Sequence, residues 1–195
     1  QAPIMDLILA STSPYRRQLL ERLQLSFRCL PPQVDETPLP GESPRALATR
    51  LALAKAHAVS RLYPEALVIG SDQVACLGER IMGKPGGLEV ATEQLRASSG
   101  NEARFYTSIA LVCAATDHEA FHVEPFSVNF RMLSEAHIAN YLAKEQPYDC
   151  AGSFKCEGLG IALFESLRGN DPTSLEGLPL IALTDMLARA GMPVI

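Results

Sequence analysis

The sequence lacks the marks of several common functions. No apolar run approaches the 18 residues or so that a spanning helix needs, so none is expected. Lysine is scarce, with Lys55, Lys84, Lys144 and Lys155 the only four. No Lys/Arg run occurs, and 17 basic against 22 acidic side chains give a net charge of −5. Nucleic-acid binding is therefore not expected, because such proteins carry a basic patch or stripe. His57, His118, His122 and His137 show neither HxH nor HExxH spacing, which argues against zinc. There is no GxSxG, Walker A or Rossmann fingerprint. The cysteines Cys29, Cys76, Cys113, Cys150 and Cys156 are odd in number and form no CxxC pair. They read as reduced thiols of a cytoplasmic protein rather than a disulfide framework. Gln1 to Ala10 has no basic region, long apolar core or cleavage site, so no signal peptide is expected there. Low-complexity tracts, repeats and linkers are also missing.

What is there suits a soluble globular chain. It has 195 residues (21.1 kDa), of which 47% are apolar and 20% charged. A chain of this size buries about 70% of its surface, enough for a core without a metal or disulfide staple. Gln1 precedes Met5, so a single domain is expected over residues 5–195, with residues 1–4 an added leader. Short apolar runs predict strands at 7–10, 26–30, 66–70, 105–114 and 122–130. Ser13-Pro14, Ser43-Pro44 and Ser134-Glu135 read as helix starts, and further helices are expected over 88–98 and from Leu178-Pro179. The first is expected to run to Leu23, the second to bury Leu47, Leu51, Ala54, Ala58 and Leu62. The Gly-punctuated segment 151–164 reads as partly strand. Strands alternating with helices indicate an α/β fold, and the consecutive pair near 105 and 122 a mixed sheet.

Four places can carry chemistry. At Ser11-Thr12-Ser13-Pro14-Tyr15-Arg16-Arg17 a strand runs into a helix N-terminus, which favours anions. Arg16 and Arg17 oppose the helix dipole by ~0.3–1 kcal/mol each, which a bound phosphate would explain and a solvated surface would not require. At Asp35-Glu36 two carboxylates offer hard oxygens to Mg²⁺, or form a solvated acidic turn. Asp72, after Ser71 and before Gln73, follows an apolar run, where open sheets place ligands, although an Asx turn is equally served. Lys84, in Gly83-Lys84-Pro85, is a point charge suited to polyphosphate, Lys55 beside the apolar stripe of its helix can reach a cleft edge, and Lys155 lies in Ser153-Phe154-Lys155-Cys156-Glu157-Gly158, or each is an ordinary surface lysine. Because the net charge repels anions, any anion site must be local. Cys150 and Cys156 could line a cleft.

The motifs LILASTSPYRRQLL, VDETP, RLALAKA, IGSDQV, GKP, FYTSIAL, DCAGSFKCEGLG and GLPLIAL, spread from Leu7 to Leu183, together resemble the Maf family. That resemblance implies a mixed twisted sheet flanked by helices around a deep nucleotide cleft, of Maf/ITPase-like type. It also implies a nucleoside triphosphate pyrophosphatase that uses a divalent cation, Mg²⁺ or Mn²⁺. Carried over by position, Ser11, Ser13, Arg16, Lys55 and Lys84 would bind phosphate. Asp72 would be the proton acceptor, and Glu36 with Asp72 would hold metal.

Three further positions set the branch: Tyr15, Gln73 and Glu157. Their combination resembles the YceF-like branch, which acts on 7-methyl-GTP, although Tyr15 stands where some members carry Trp. The chemistry agrees, since a Tyr15 face on a cationic purine is worth about 0.5–2 kcal/mol. Glu157 can accept from both N–H groups of a guanine edge. A pyrimidine would leave it unpaired, at a cost of about 1–3 kcal/mol. Hydrolysis of another nucleotide, such as dTTP or UTP, and a non-catalytic, nucleotide-binding regulator of cell division are the alternatives. The resemblance further suggests a homodimer, and a role in cell-division arrest.

Overall fold

Sequence-encoded caps start the helices in the computed structural model, which describes residues 5–195; the expectation for residues 1–4 lies outside them. The order is β1 (Leu7–Leu9), α1 (Pro14–Glu21), β2 (Arg28–Cys29), α2 (Pro44–Ser60), β3 (Leu67–Leu77) and β4 (Arg80–Met82). There follow α3 (Leu88–Ser98), β5 (Glu102–Cys113), β6 (His118–Phe130), α4 (Glu135–Glu145), β7 (Phe164–Gly169), α5 (Pro172–Glu176) and α6 (Leu180–Arg189). Ser13, Ser43 and Ser134 each accept a hydrogen bond from the backbone N–H three residues on, and proline follows the first two.

The strands form one mixed sheet in the order β2-β1-β3-β5-β6-β7, with β4 also on β3. β2, β1 and β3 run parallel, and the remaining pairings are antiparallel. Period-two alternation assigns the faces. Leu7, Leu9, Leu67, Ile69, Ile109 and Leu111 pack with Leu19 and Leu20 of α1 and Leu183 and Leu187 of α6. Ile8, Val68, Ala110 and Val112 pack on the other face against Ala52, Ala56 and Val59 of α2. Beyond the site, Phe105, Phe130, Phe154 and Phe164 meet edge to face, centroids 4.9–5.5 Å apart, and close the core under α3 and α4.

Four expectations are corrected. β3 does not stop at Gly70: β5 pairs with it from Val68 to Leu77, and Ser71, Asp72 and Gln73 each find a polar partner, so the ladder continues through them. Asp72 is thus mid-strand, not at a strand's carboxyl end. The buried face of α2 is Leu47, Ala48, Leu51, Ala52, Lys55, Ala56 and Val59, while Leu62 is exposed. Lys55, next to the expected stripe, lies within the buried face because Asp72 and Glu36 take up its charge. Segment 151–164 is not strand until Phe164; two 3-10 turns occupy it, because Gly152 and Ser153 take left-handed backbone (φ +78° and +68°). α1 ends at Glu21, short of Leu23. β4 and α5 were not expected.

Gly70 sets how closely α2 approaches the sheet. A Cβ there would lie 2.1 Å from the Ala52 carbonyl oxygen and 2.7 Å from the Ala56 nitrogen. Gly70→Ala is expected to cost about 1–3 kcal/mol or more, since backbone must move to admit the methyl. Urea unfolding measures this, and a loss below about 0.5 kcal/mol would contradict the close contact.

Candidate active site

On the edge of β3 away from β5, β1 pairs with Leu67–Ile69 and β4 with Ala75–Leu77. Between them Gly70–Val74 has no strand partner on that edge among the described residues, and a cleft of about 560 Å³ adjoins the gap. Thr12, Ser13, Tyr15, Arg16, Glu36, Lys55, Asp72, Gln73, Lys84 and Glu157 line it, drawn from six stretches of chain. Ser11 does not; it is buried, and its hydroxyl accepts from the Ser13 N–H at 3.0 Å, ordering the turn beneath.

Parity along β3 divides the strand's side chains. Val68, Gly70, Asp72 and Val74 face α2, and Asp72 meets Lys55 there, Oδ1 to Nζ 2.9 Å. Lys55 also pairs with Glu36, 2.5 Å from Oε1. Lys55 and Asp72 are only 8% and 9% exposed, whereas the Glu36 side chain is 60% exposed. Burial pushes the Asp72 carboxyl up, against the pull of Lys55 and Arg16. The Lys55 hydrogen bond holds Glu36 down, with Lys84 and Arg16 adding to it. The loop carrying Glu36 is fastened to α2 by Arg50, which bonds Glu42 and the Thr37 carbonyl. Asp35 turns away, accepting from the Thr37 N–H at 2.9 Å, so only one carboxylate of the acidic pair reaches the cleft.

The paired arginines also separate. Arg16 enters the cleft and donates from Nε to the Gly177 carbonyl at 2.8 Å. Arg17 stays in solvent, 3.4 Å from Glu21. Lys84 is exposed at the cleft rim.

On the opposite face of β3, Gln73 bonds from Nε2 to Thr107 Oγ1 (3.0 Å) and to the carbonyls of Ser174 (3.0 Å) and Leu175 (3.1 Å). Carbonyl acceptors fix the amide orientation, so Oε1 is the end left without a protein donor among the described residues. Tyr15 donates to Asp149 Oδ2 at 3.0 Å, and Lys155 Nζ lies 5.0 Å from its ring centroid. Burial, then the neighbouring Cys150, pushes the Tyr15 hydroxyl far up. Glu157 is exposed, and among the described residues only the Cys156 thiol donates a hydrogen bond to it. Burial pushes the Cys150 thiol up to about 12 and raises the Cys156 thiol as well, so both line the cleft as neutral thiols, with Cys29, Cys76 and Cys113 also unpaired. Glu176 and Asp149, which the sequence reading missed, line the same cleft. An Asp171-Pro172 helix start ahead of Gly177 was the available signal for a short helix there, but nothing marks Glu176 itself. A second cavity of similar size, lined by Arg45, Cys76, Glu79, Arg104 and Tyr106, contains none of the expected residues.

Glu36 and Asp72 suit a divalent cation. They offer two carboxylates of hard oxygen, and one ammonium already sits within 3 Å of both. Lys55→Met would leave Asp72 buried without its partner, with an expected cost of about 3–5 kcal/mol. Glu36→Gln breaks a largely solvated contact and is expected to cost under about 1 kcal/mol. Chemical unfolding of both variants checks the order, which a larger loss for Glu36→Gln would reverse.

The Maf-like protein family profile matches residues 6–190. A protein of Nitrosococcus oceani named 7-methyl-GTP pyrophosphatase is 56% identical over 189 residues, covering 97% of this chain and 95% of that one. Among solved structures, a HAM1 protein from Coxiella burnetii superposes with a TM-score of 0.53 at 15% identity, covering 95% of this chain and all of that one. No described helix is long and apolar enough to cross a membrane.

Proposed function

The chain belongs to the Maf-like protein family, and from that membership we propose that it is a nucleoside triphosphate pyrophosphatase acting on 7-methyl-GTP. The observation that carries the reading is the convergence of Arg16, Lys55 and Lys84 with Glu36 and Asp72 in one cleft. Water attacks the α-phosphorus, the α–β phosphoanhydride bond breaks, and the products are 7-methyl-GMP and diphosphate. The triphosphate lies against Arg16, Lys55 and Lys84, whose fixed charges offset the negative charge that repels the nucleophile. Asp72 takes the water's proton; its raised carboxyl basicity, set by burial, suits that work. Glu36 and Asp72 would hold a divalent cation, which when bound supplies charge neutralisation and a more acidic water.

At the base, the Lys155 ammonium lies over the Tyr15 ring, and a positively charged purine would take that face in its place. Glu157 accepts from the guanine edge, and Gln73 supplies a carbonyl oxygen. The 56% identical relative named for this activity supports the substrate. We also read residues 5–195 as one domain, since one sheet joins β1 to β7. The free thiols fit a cytoplasmic enzyme, and a homodimer is the state to test by sedimentation.

Diphosphate release from 7-methyl-GTP, GTP, dTTP and UTP, with and without Mg²⁺ or Mn²⁺, tests the reading. Cation-dependent turnover, greatest on 7-methyl-GTP, is expected. Greater turnover of dTTP or UTP would move the assignment to another nucleotide, and none at all would leave a binding protein. Asp72→Asn is expected to lower kcat by about 10²–10⁴-fold with folding intact. Turnover retained in that variant would remove Asp72 from its role. Glu157→Gln is expected to narrow the preference for 7-methyl-GTP over dTTP, and an unchanged ratio would count against Glu157 as the base reader.

A further inference from the structure

Glu176 is the cleft residue that the assignment above leaves without a task. It ends α5, is half-buried and lines the cleft, yet no described residue forms a hydrogen bond or ion pair with its carboxylate. Its position is held from both sides. Thr107 Oγ1 donates to the Ser174 carbonyl at 2.8 Å, and Gln73 to those of Ser174 and Leu175. Arg16 Nε (2.8 Å) and Ser71 Oγ (3.2 Å) both donate to the carbonyl of Gly177. Four side chains of the site therefore fasten the backbone on either side of Glu176.

The carboxylates of Glu176 and Glu157 and the Cys156 thiol lie within 4.8 Å of one another. Burial and then Glu157 push the Glu176 carboxyl up, Arg22 opposes this and Asp171 adds to it. Two acidic side chains held this close in a cleft repel each other, and a cation placed beside them removes that cost. Of the cations lining the cleft, Lys55 is engaged with Asp72 and Glu36 and Arg16 with Gly177, while Lys155 lies over the Tyr15 ring.

We propose that Glu176 is a specificity-determining residue that reads the positive charge of an N7-alkylated guanine, while Glu157 reads the hydrogen-bonding edge that all guanines share. This rests on the cleft being the nucleotide site proposed above, and it divides the recognition of one base between two carboxylates. Methylation at N7 adds no hydrogen-bond donor; it changes the charge of the ring. The Tyr15 face and the Glu157 charge already favour the cationic ring, and a second carboxylate widens the separation of 7-methylguanine from guanine. Gln73 is then a positioning residue for the turn, whatever its free oxygen also contributes.

Binding of 7-methyl-GMP and GMP, measured by calorimetry on the full chain and on Glu176→Gln, tests this without requiring turnover. The native chain is expected to prefer 7-methyl-GMP. The ratio of the two dissociation constants is expected to fall about two- to fivefold in Glu176→Gln, the range of one partly solvated charge pair. Glu176→Asp, which keeps the charge, is expected to retain most of the preference. An unchanged ratio in Glu176→Gln, equal loss of both ligands, or no preference in the native chain would each overturn the assignment. Glu176→Ala carries the same test should the first variant fail to fold. Absence of diphosphate release from 7-methyl-GTP with the binding preference intact would overturn the hydrolytic reading and leave this one standing.

Discussion

Lys55 sits in the packed face of α2, and an ammonium there is tolerable because two carboxylates share it. Much of the site's geometry follows from that constraint. Asp72 must lie on the α2 side of β3, and Gly70 must lack a side chain so that the helix comes near enough for the 2.9 Å contact. The Glu36 loop must fold back over the helix, which Arg50 secures by gripping Glu42 and Thr37. Desolvation raises the Asp72 carboxyl at the place where the proposed chemistry needs a basic carboxylate.

The sheet turns this local pair into a site. β1 and β4 share one edge of β3 without meeting, and between them the edge of Gly70–Val74 has no strand partner among the described residues. Along that stretch, alternation sends Asp72 toward α2 while Ser71 and Gln73 reach the α5 turn. One strand therefore serves both the phosphate end and the base end of the proposed nucleotide site. The polar residues that interrupt its apolar run are the ones with these two tasks.

The charge arrangement resolves a conflict posed by composition. A chain of net charge −5 repels a triphosphate at long range. Within the cleft, Arg16, Lys55 and Lys84 gather with Glu36 and Asp72 at one end, and Asp149, Glu157 and Glu176 outnumber Lys155 near Tyr15, Cys150 and Cys156 at the other. A substrate with a polyanionic tail and a cationic ring fits such a divided surface better than one with a neutral base, which ties the proposed substrate to a physical property of the cleft.

The α/β class, most helix starts and the motifs of the site were legible in the residues. Serine caps, proline at the first helical position and period-two apolar runs are local signals, acting within a few residues. The course of β3 past Gly70 was not legible, because Ser71, Asp72 and Gln73 look like a turn until β5 and α5 provide their partners. The burial of Lys55 was hidden for the same reason, since a lysine reads as solvent-facing unless carboxylates from residues 36 and 72 are known to reach it. The separation of Arg16 from Arg17, of Glu36 from Asp35, and the arrival of Glu176 beside Glu157 all depend on contacts between segments far apart in the chain. Local propensity carries no record of such contacts; they come into being when strands and helices pack, and with them the distances on which the chemistry depends.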